Sequence, residues 1–373
     1  MKIPFIDLAP QHQGIKERMM QEMEQVLDSG AFILGPALTQ FEAAFAKMVG
    51  SPHAIGVNSG TDALLMSLKA LGITAGDEVI VPTFTFVAVA DVVARIGARP
   101  VFVDVDPLNY NMAIDSVNQA ITPKTKAIIA VHMFGQACDL AQLVQLANAH
   151  GLFLIEDCSQ SMGGKIGNKY LGTMGVTGCF SFYPTKNLGA IGDGGMIITH
   201  NDEVAGRLRR YRDHGKDSSG LFQDIGYNSR LDSIQAAILK VKLEELEESI
   251  ADRIENARFY GELLGEADIV LPEFYERGEH TYNCYTIQAD DRDGLRQFLS
   301  EQEIGTAIYY DRPLHLQPCL EYLGYKEGSF PVAELLASRV LSLPIFPGLK
   351  MKDLESVALS IHEYLATQSV TEE

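Results

Sequence analysis

Between residues 54 and 200 the chain keeps repeating one pattern, a short apolar run followed by an amphipathic stretch. "AIGV" precedes "TDALLMSLKALG", and "DEVIVP" precedes "TFVAVADVVARIG". "RPVFVDVD", "KAIIAVHMFG", "DLAQLVQLANAHG", "LFLIED", "CFSFY" and "GMIITH" continue the series. Apolar runs this short, rich in Val, Ile and Phe, read as buried strands, and the stretches between them as helices. Strands that alternate with helices predict an α/β domain with a largely parallel sheet. In such sheets ligands bind beyond the carboxyl ends of the strands. Three polar groups fall just past predicted strand ends: Ser59–Thr61, Asp157–Gln160 and Lys186.

Beyond this region Leu231–Gly265 reads as one long amphipathic helix, with Ile234, Ala237 and Ile238 forming an apolar stripe on a charged surface. "YNCYTIQA", "RDGLRQFLSEQ" and "TAIYY" then change the pattern. The expected division is a large domain over residues 1–249, with an N-terminal arm, and a smaller α+β domain over 250–373.

Charge narrows the classes of partner. The chain carries 30 Lys and Arg against 49 Asp and Glu, a net charge of −19. Nucleic acid and anionic membranes are poor partners for such a surface, so an anionic ligand must be caught by a few local donors. The five cysteines are odd in number and form no CxxC pair, which argues for a reducing compartment and no metal site. No signal-peptide core and no membrane-length apolar run is evident, so a soluble cytoplasmic protein is expected.

In "FSFYPTKNLGAIGDGG" the strand stops at Pro184, which puts Lys186 on a turn ahead of Gly189, Gly192, Gly194 and Gly195. A loop lysine taken alone is usually a solvated charge. In "VNSGTDALL", Ser59, Gly60 and Thr61 start a helix, either as an ordinary cap or as an anion cradle. The glycines match neither GxGxxG nor GxxxxGK[ST]. "LFLIEDCSQS" ends a strand on Glu156-Asp157, where a carboxylate caps N–H groups or faces a cation, and Gln160 is within reach of the same ligand. "VPTFTFVA" sets Phe84 and Phe86 at a helix start, as core or as a stacking face. An amine, a carboxylate, an aromatic face and a phosphate-sized cradle are what pyridoxal 5'-phosphate requires. The amine condenses with its aldehyde, the carboxylate pairs with the ring nitrogen, and the helix start binds the phosphate.

Six separated blocks, "NSGTDAL", "PTFTFVA", "IEDCSQS", "FSFYPTKNLGAIGDGG", "GYNSRLDSIQAAIL" and "PLHLQP", resemble the DegT/DnrJ/EryC1/StrS sugar aminotransferases, in order and over almost the full length. The resemblance implies a fold-type-I pyridoxal phosphate enzyme with a mostly parallel seven-stranded sheet, working as a homodimer with shared active sites. It implies that Lys186 bonds the cofactor aldehyde, Asp157 pairs with the ring nitrogen, Gln160 meets the phenolic oxygen and Phe86 stacks on the ring. It implies too that Gly60, Thr61 and Ser181 hold the phosphate, with Asn228 reaching over from the second subunit. Some members carry histidine in place of the lysine and dehydrate their substrates; this chain has Lys186, which favours transamination.

L-glutamate is the expected amino donor, pyridoxamine 5'-phosphate the form that carries the amino group, and a nucleotide-linked keto-sugar the acceptor. For the sugar the candidates are Tyr183, His214, Lys216, Arg230, Tyr309, Tyr310 and His315. The "HLQP" form is similar to members that aminate the 3-position, so a UDP- or dTDP-linked 3-oxo-hexose on the way to a polysaccharide or O-antigen is expected. The alternatives are amination at the 4-position and a family member that regulates without turnover.

Overall fold

The computed structural model describes residues 2–273 and 280–371. The alternating pattern folds into one seven-stranded sheet, as the apolar runs predict. Its strands are β1 (His53–Val57), β2 (Glu78–Pro82), β3 (Arg99–Val103), β4 (Thr125–Val131), β5 (Phe153–Asp157), β6 (Thr177–Ser181) and β7 (Gly195–Thr199). The spatial order is β1-β7-β6-β5-β4-β2-β3. β7 runs antiparallel to β1 and β6, and the pairs β2–β3, β2–β4, β4–β5 and β5–β6 are parallel. Crossover helices such as Gly60–Ala70 and Ala88–Arg95 cover the faces, which is why the strands are apolar on both sides. One face buries an aromatic cluster of Phe41, Phe45, Phe180 and Phe182, whose rings meet edge to face at 5.1–6.0 Å. The other face buries Ile55, Val57, Leu64 and Met66.

The segment expected as one long helix is two, Ser233–Glu244 and Leu246–Leu264, which meet at Glu245. Its apolar stripe is covered by this same chain. Ile238 packs with Ile15, Met19 and Val241, with Ile234 against them, so the N-terminal helix Lys16–Ser29 takes up that face. The Leu246–Leu264 helix crosses the boundary expected at residue 250. Leu246 and Ile250 pack in the core under the large sheet, while Ala257, Tyr260 and Leu264 pack in the core of the smaller unit.

That smaller unit pairs β8 (Tyr285–Gln288) with β9 (Val340–Leu343) under the helices Arg292–Glu301 and Met351–Thr371. The N-terminal arm begins there, where Ile3 bridges to Ile304 and enters the same core. Between the units, Arg253 is 2% exposed and donates from Nη1 to the Tyr282 and Ile345 carbonyls. Among the described residues no helix is long and apolar enough to cross a membrane.

β7 passes so close to the start of the Gly60–Ala70 helix that a Cβ on Gly195 would lie 2.4 Å from the Ser59 carbonyl carbon. Gly195→Ala must therefore push the strand off the helix start. It should lower the melting temperature by several degrees and weaken pyridoxal phosphate binding, both readable by a thermal melt with and without cofactor. Unchanged values for both would show that this contact can relax.

Candidate active site

A cavity of about 510 Å³ opens where β4, β5 and β6 end. Asp157 closes β5 and Ser181 closes β6, and both line it. Gly60 and Thr61 line it from the helix start, where the helical ladder leaves N–H groups without intrahelical partners. Ser59 caps this helix, accepting from the Asp62 N–H at 3.1 Å, which is the ordinary-cap reading of this turn. A Cβ on Gly60 would stand 2.8 Å from Ser181 Cβ, and the missing side chain leaves the backbone approachable.

Lys186 enters from the turn after β6. The Lys186 N–H donates to the Tyr183 carbonyl at 2.9 Å, and a Cβ on Gly189 would lie 2.2 Å from the Pro184 oxygen, so only glycine lets the turn close. Asn187 Nδ2 donates to the Thr281 carbonyl at 3.2 Å, and the buried Lys242 donates to the Gly189 carbonyl at 2.5 Å. The turn is thus pinned on both sides of the amine. Burial pushes the Lys186 pKa down from the ordinary lysine value, opposed in part by Cys284 and Asp157. Burial pushes Asp157 up, opposed by Ser159, whose N–H donates to Asp157 Oδ1 at 2.9 Å, and by Lys186 and His132. Each group raises the other's charged fraction against the same apolar surroundings.

Strand alternation separates the two carboxylates of β5. Glu156 turns away and accepts from the N–H groups of Gly172 (2.7 Å), Met174 (2.7 Å) and Gly175 (2.5 Å). His132 Nδ1 accepts from the Cys138 N–H, which leaves Nε2–H for Glu156 at 3.2 Å. His132, Glu156 and Cys158 have ligand atoms within 4.8 Å of one another, and these bonds already occupy the imidazole and the carboxylate. The group is a hydrogen-bonded knot.

Gln160 is held by the Phe134 N–H, which donates to its Oε1 at 2.9 Å, and its Nε2 lies 3.9 Å from the Met133 sulfur. The two aromatics of "PTFTF" separate. Phe84 is buried against Tyr110, while Phe86 is 53% exposed and faces Tyr310 with ring centres 6.3 Å apart. Phe86 stands just ahead of the Ala88–Arg95 helix, not on its first turn. Tyr183, Tyr309 and Tyr310 also line the cavity.

Five of the expected residues are not among those lining it: Asn228, His214, Lys216, Arg230 and His315. Lys216 and Arg230 both pair with Asp213, at 2.9 and 2.7 Å, and hold its carboxyl below the usual range. His214 and Asn228 are exposed on the same polar loop, whose Leu221, Phe222 and Ile225 are also exposed. His315 is buried between Thr83 and Glu334. The cavity also takes in Phe5, Thr85, Ser159, Asp193, Asn283 and Cys284, which the sequence did not single out. Ser159 and Asp193 sit inside quoted motifs and could have been found there; Phe5 and Cys284 arrive from distant segments and carried no signal.

A fold with a lysine turn, a buried aspartate and a helix-start cradle at the strand ends defines a class of cofactor-dependent transferases. The DegT/DnrJ/EryC1/StrS aminotransferase family profile matches residues 13–362. A pleiotropic regulatory protein of Geobacillus stearothermophilus is 45% identical over 98% of this chain and 99% of its own. The UDP-N-acetyl-3-dehydro-alpha-D-glucosamine 3-aminotransferase of Acidithiobacillus ferrooxidans is 43% identical over 97% of this chain and 98% of its own. The solved structure of DesV from S. venezuelae superposes with a TM-score of 0.95 at 38% identity, covering 97% of this chain and 98% of that one. The chain belongs to the DegT/DnrJ/EryC1/StrS aminotransferase family.

Glu156 and Asp157 are neighbours with opposite expected consequences. Glu156→Ala strands buried N–H groups and should cost about 3 kcal/mol or more of unfolding free energy. Asp157→Asn removes a charge that burial disfavours, so the cofactor-free melting temperature should hold or rise while turnover falls roughly 10²-fold or more. Loss of stability in Asp157→Asn with activity intact would reverse the two assignments. The Lys186 amine should also deprotonate below the ordinary lysine pKa of about 10.4. The pH dependence of its reaction with pyridoxal phosphate checks this, and a midpoint at or above that value contradicts it.

Proposed function

We propose that this chain transfers the amino group of L-glutamate to the 3-position of a nucleotide-linked 3-oxo-hexose, with pyridoxal phosphate as its cofactor. The observation that carries the reading is the convergence of Lys186 and Asp157 on one cavity beside a glycine-lined helix start. A phosphate fits the Gly60, Thr61 and Ser181 corner, where a Cβ would fill the space, and the buried carboxylate of Asp157 suits a protonated ring nitrogen. The bound cofactor supplies an electron sink for charge released at the donor α-carbon. Lys186, its pKa lowered by burial, is the base that takes the proton at that carbon and later returns one at the sugar carbon. Phe86 and Gln160 orient the flat ring, and Tyr183, Tyr309 and Tyr310 offer hydroxyls at the mouth for the sugar.

The 3-position is favoured by the 43% identical relative, whose name gives a 3-aminotransferase acting on a UDP-linked sugar. A relative named as regulatory is as similar, but a regulator without turnover has no need of both Lys186 and Asp157 in one cavity. We infer further that the protein is a homodimer of the cytoplasm and that the exposed Asn228 completes the phosphate site of the second subunit. Five free cysteines fit a reducing compartment.

Purified protein loaded with pyridoxal phosphate should lose its visible absorption when L-glutamate is added. Among UDP- and dTDP-linked 3-oxo and 4-oxo sugars, a 3-oxo sugar should give the amino product by mass spectrometry. Product only from 4-oxo sugars would move the reading to the 4-position, and no product from any would end it. Mixing inactive Lys186→Ala with inactive Asn228→Ala subunits should restore up to roughly half the activity per heterodimer by symmetry. No recovery would confine each site to one chain.

A further inference from the structure

His315 lies outside the cavity, yet its hydrogen bonds tie two of the cavity's walls together. Thr83 directly follows β2 and is fully buried. The Leu314 N–H donates to the Thr83 carbonyl at 2.7 Å, and the His315 N–H to Thr83 Oγ1 at 3.3 Å. His315 Nδ1 is 2.8 Å from Thr83 Oγ1, and Nε2 is 2.9 Å from Glu334 Oε1. A carboxylate only accepts, so Nε2 carries the ring proton and Nδ1 accepts from the Thr83 hydroxyl. Burial lowers the His315 pKa against the pull of Glu334 and Asp104, which fits a neutral ring. Glu334 is itself fixed by the N–H groups of Gly328 and Phe330, and the Phe330 ring stands edge-on to the imidazole at 4.9 Å.

A hydroxyl, an imidazole and a carboxylate in line can activate a nucleophile. That use is closed to Thr83, which has no exposed surface and does not line the cavity. What the line does is mechanical. Shortly after Thr83 come Thr85 and Phe86, and shortly before His315 come Tyr309 and Tyr310, all four on the cavity wall. Phe86 and Tyr310 face each other at 6.3 Å, and the relay stitches together the two segments that carry them.

We propose that His315 is a positioning residue that, through Thr83 and Glu334, sets the gap between Phe86 and Tyr310 and so the fit of the cofactor ring and the sugar. This rests on the reading of the cavity given above. The residue acts through its neighbours and touches no ligand.

The test uses Thr83→Val, His315→Phe and the double variant in the full-length, cofactor-loaded protein. A UDP-linked 3-aminohexose run in reverse with 2-oxoglutarate serves as the probe. Each single variant should raise KM about tenfold with kcat within about threefold, the loss of roughly one buried hydrogen bond. The double variant should match the worse single, because either change already breaks the relay. Glu334→Gln keeps a carbonyl for Nε2–H and should show a smaller rise. An unchanged KM, a fall confined to kcat, or additive single effects would overturn the proposal. If the unaltered protein turns over no sugar, the substrate reading fails on its own. The relay is then judged by pyridoxal phosphate titration, where both single variants should bind at least about threefold more weakly, and equal binding overturns it. If His315→Phe does not fold, the isosteric Thr83→Val carries the same comparison.

Discussion

Asp157 is buried at the end of β5, between β4 and β6, in surroundings that raise its pKa. Desolvating a carboxylate there is costly unless a cation or strong donors face it. The Ser159 N–H supplies part of the compensation and Lys186 another. Lys186 is in the reciprocal position, an amine whose charge burial disfavours and Asp157 favours. Burial therefore disfavours the charge of each group, and each charge is supported by the other. That shared electrostatic debt ties the sheet, the lysine turn and the chemistry together.

The surrounding structure keeps these groups from relaxing it away. Gly189 lets the lysine turn close, Asn187 and Lys242 pin its flanks, and Glu156 holds the Gly172–Gly175 loop from the far side of β5. The smaller unit is bound in as well. Arg253 spans to the Tyr282 carbonyl, and Thr281, Asn283 and Cys284 run from there beneath the lysine turn. Preorganised groups of this kind need little rearrangement when charge develops.

Much of this was legible in the sequence because the signals were local. Short apolar runs marked the strands of the sheet, and Pro184 with the following glycines marked the turn that carries Lys186. Position after a strand end marked Asp157 and the helix start at Ser59. What could not be read depends on contacts between distant segments. The helix breaks at Glu245, and the cover over Ile238 comes from packing against Ile15 and Met19, so the apolar stripe is filled by the chain itself. The role of Glu156 beside Asp157 carried no local signal, because its partners are the N–H groups of the distant Gly172–Gly175 loop. Lys216 and Arg230, candidates for the sugar in the sequence, are both paired with Asp213 in the fold.

Lys186 is proposed as the one amine that meets the cofactor. Loading the protein with pyridoxal phosphate, reducing it with borohydride and mapping the modified peptide by mass spectrometry tests this directly. A single stoichiometric adduct on Lys186, absent from Lys186→Ala, is the predicted result. An adduct on another lysine, such as the buried Lys242, or none on a protein that still turns over, would contradict it.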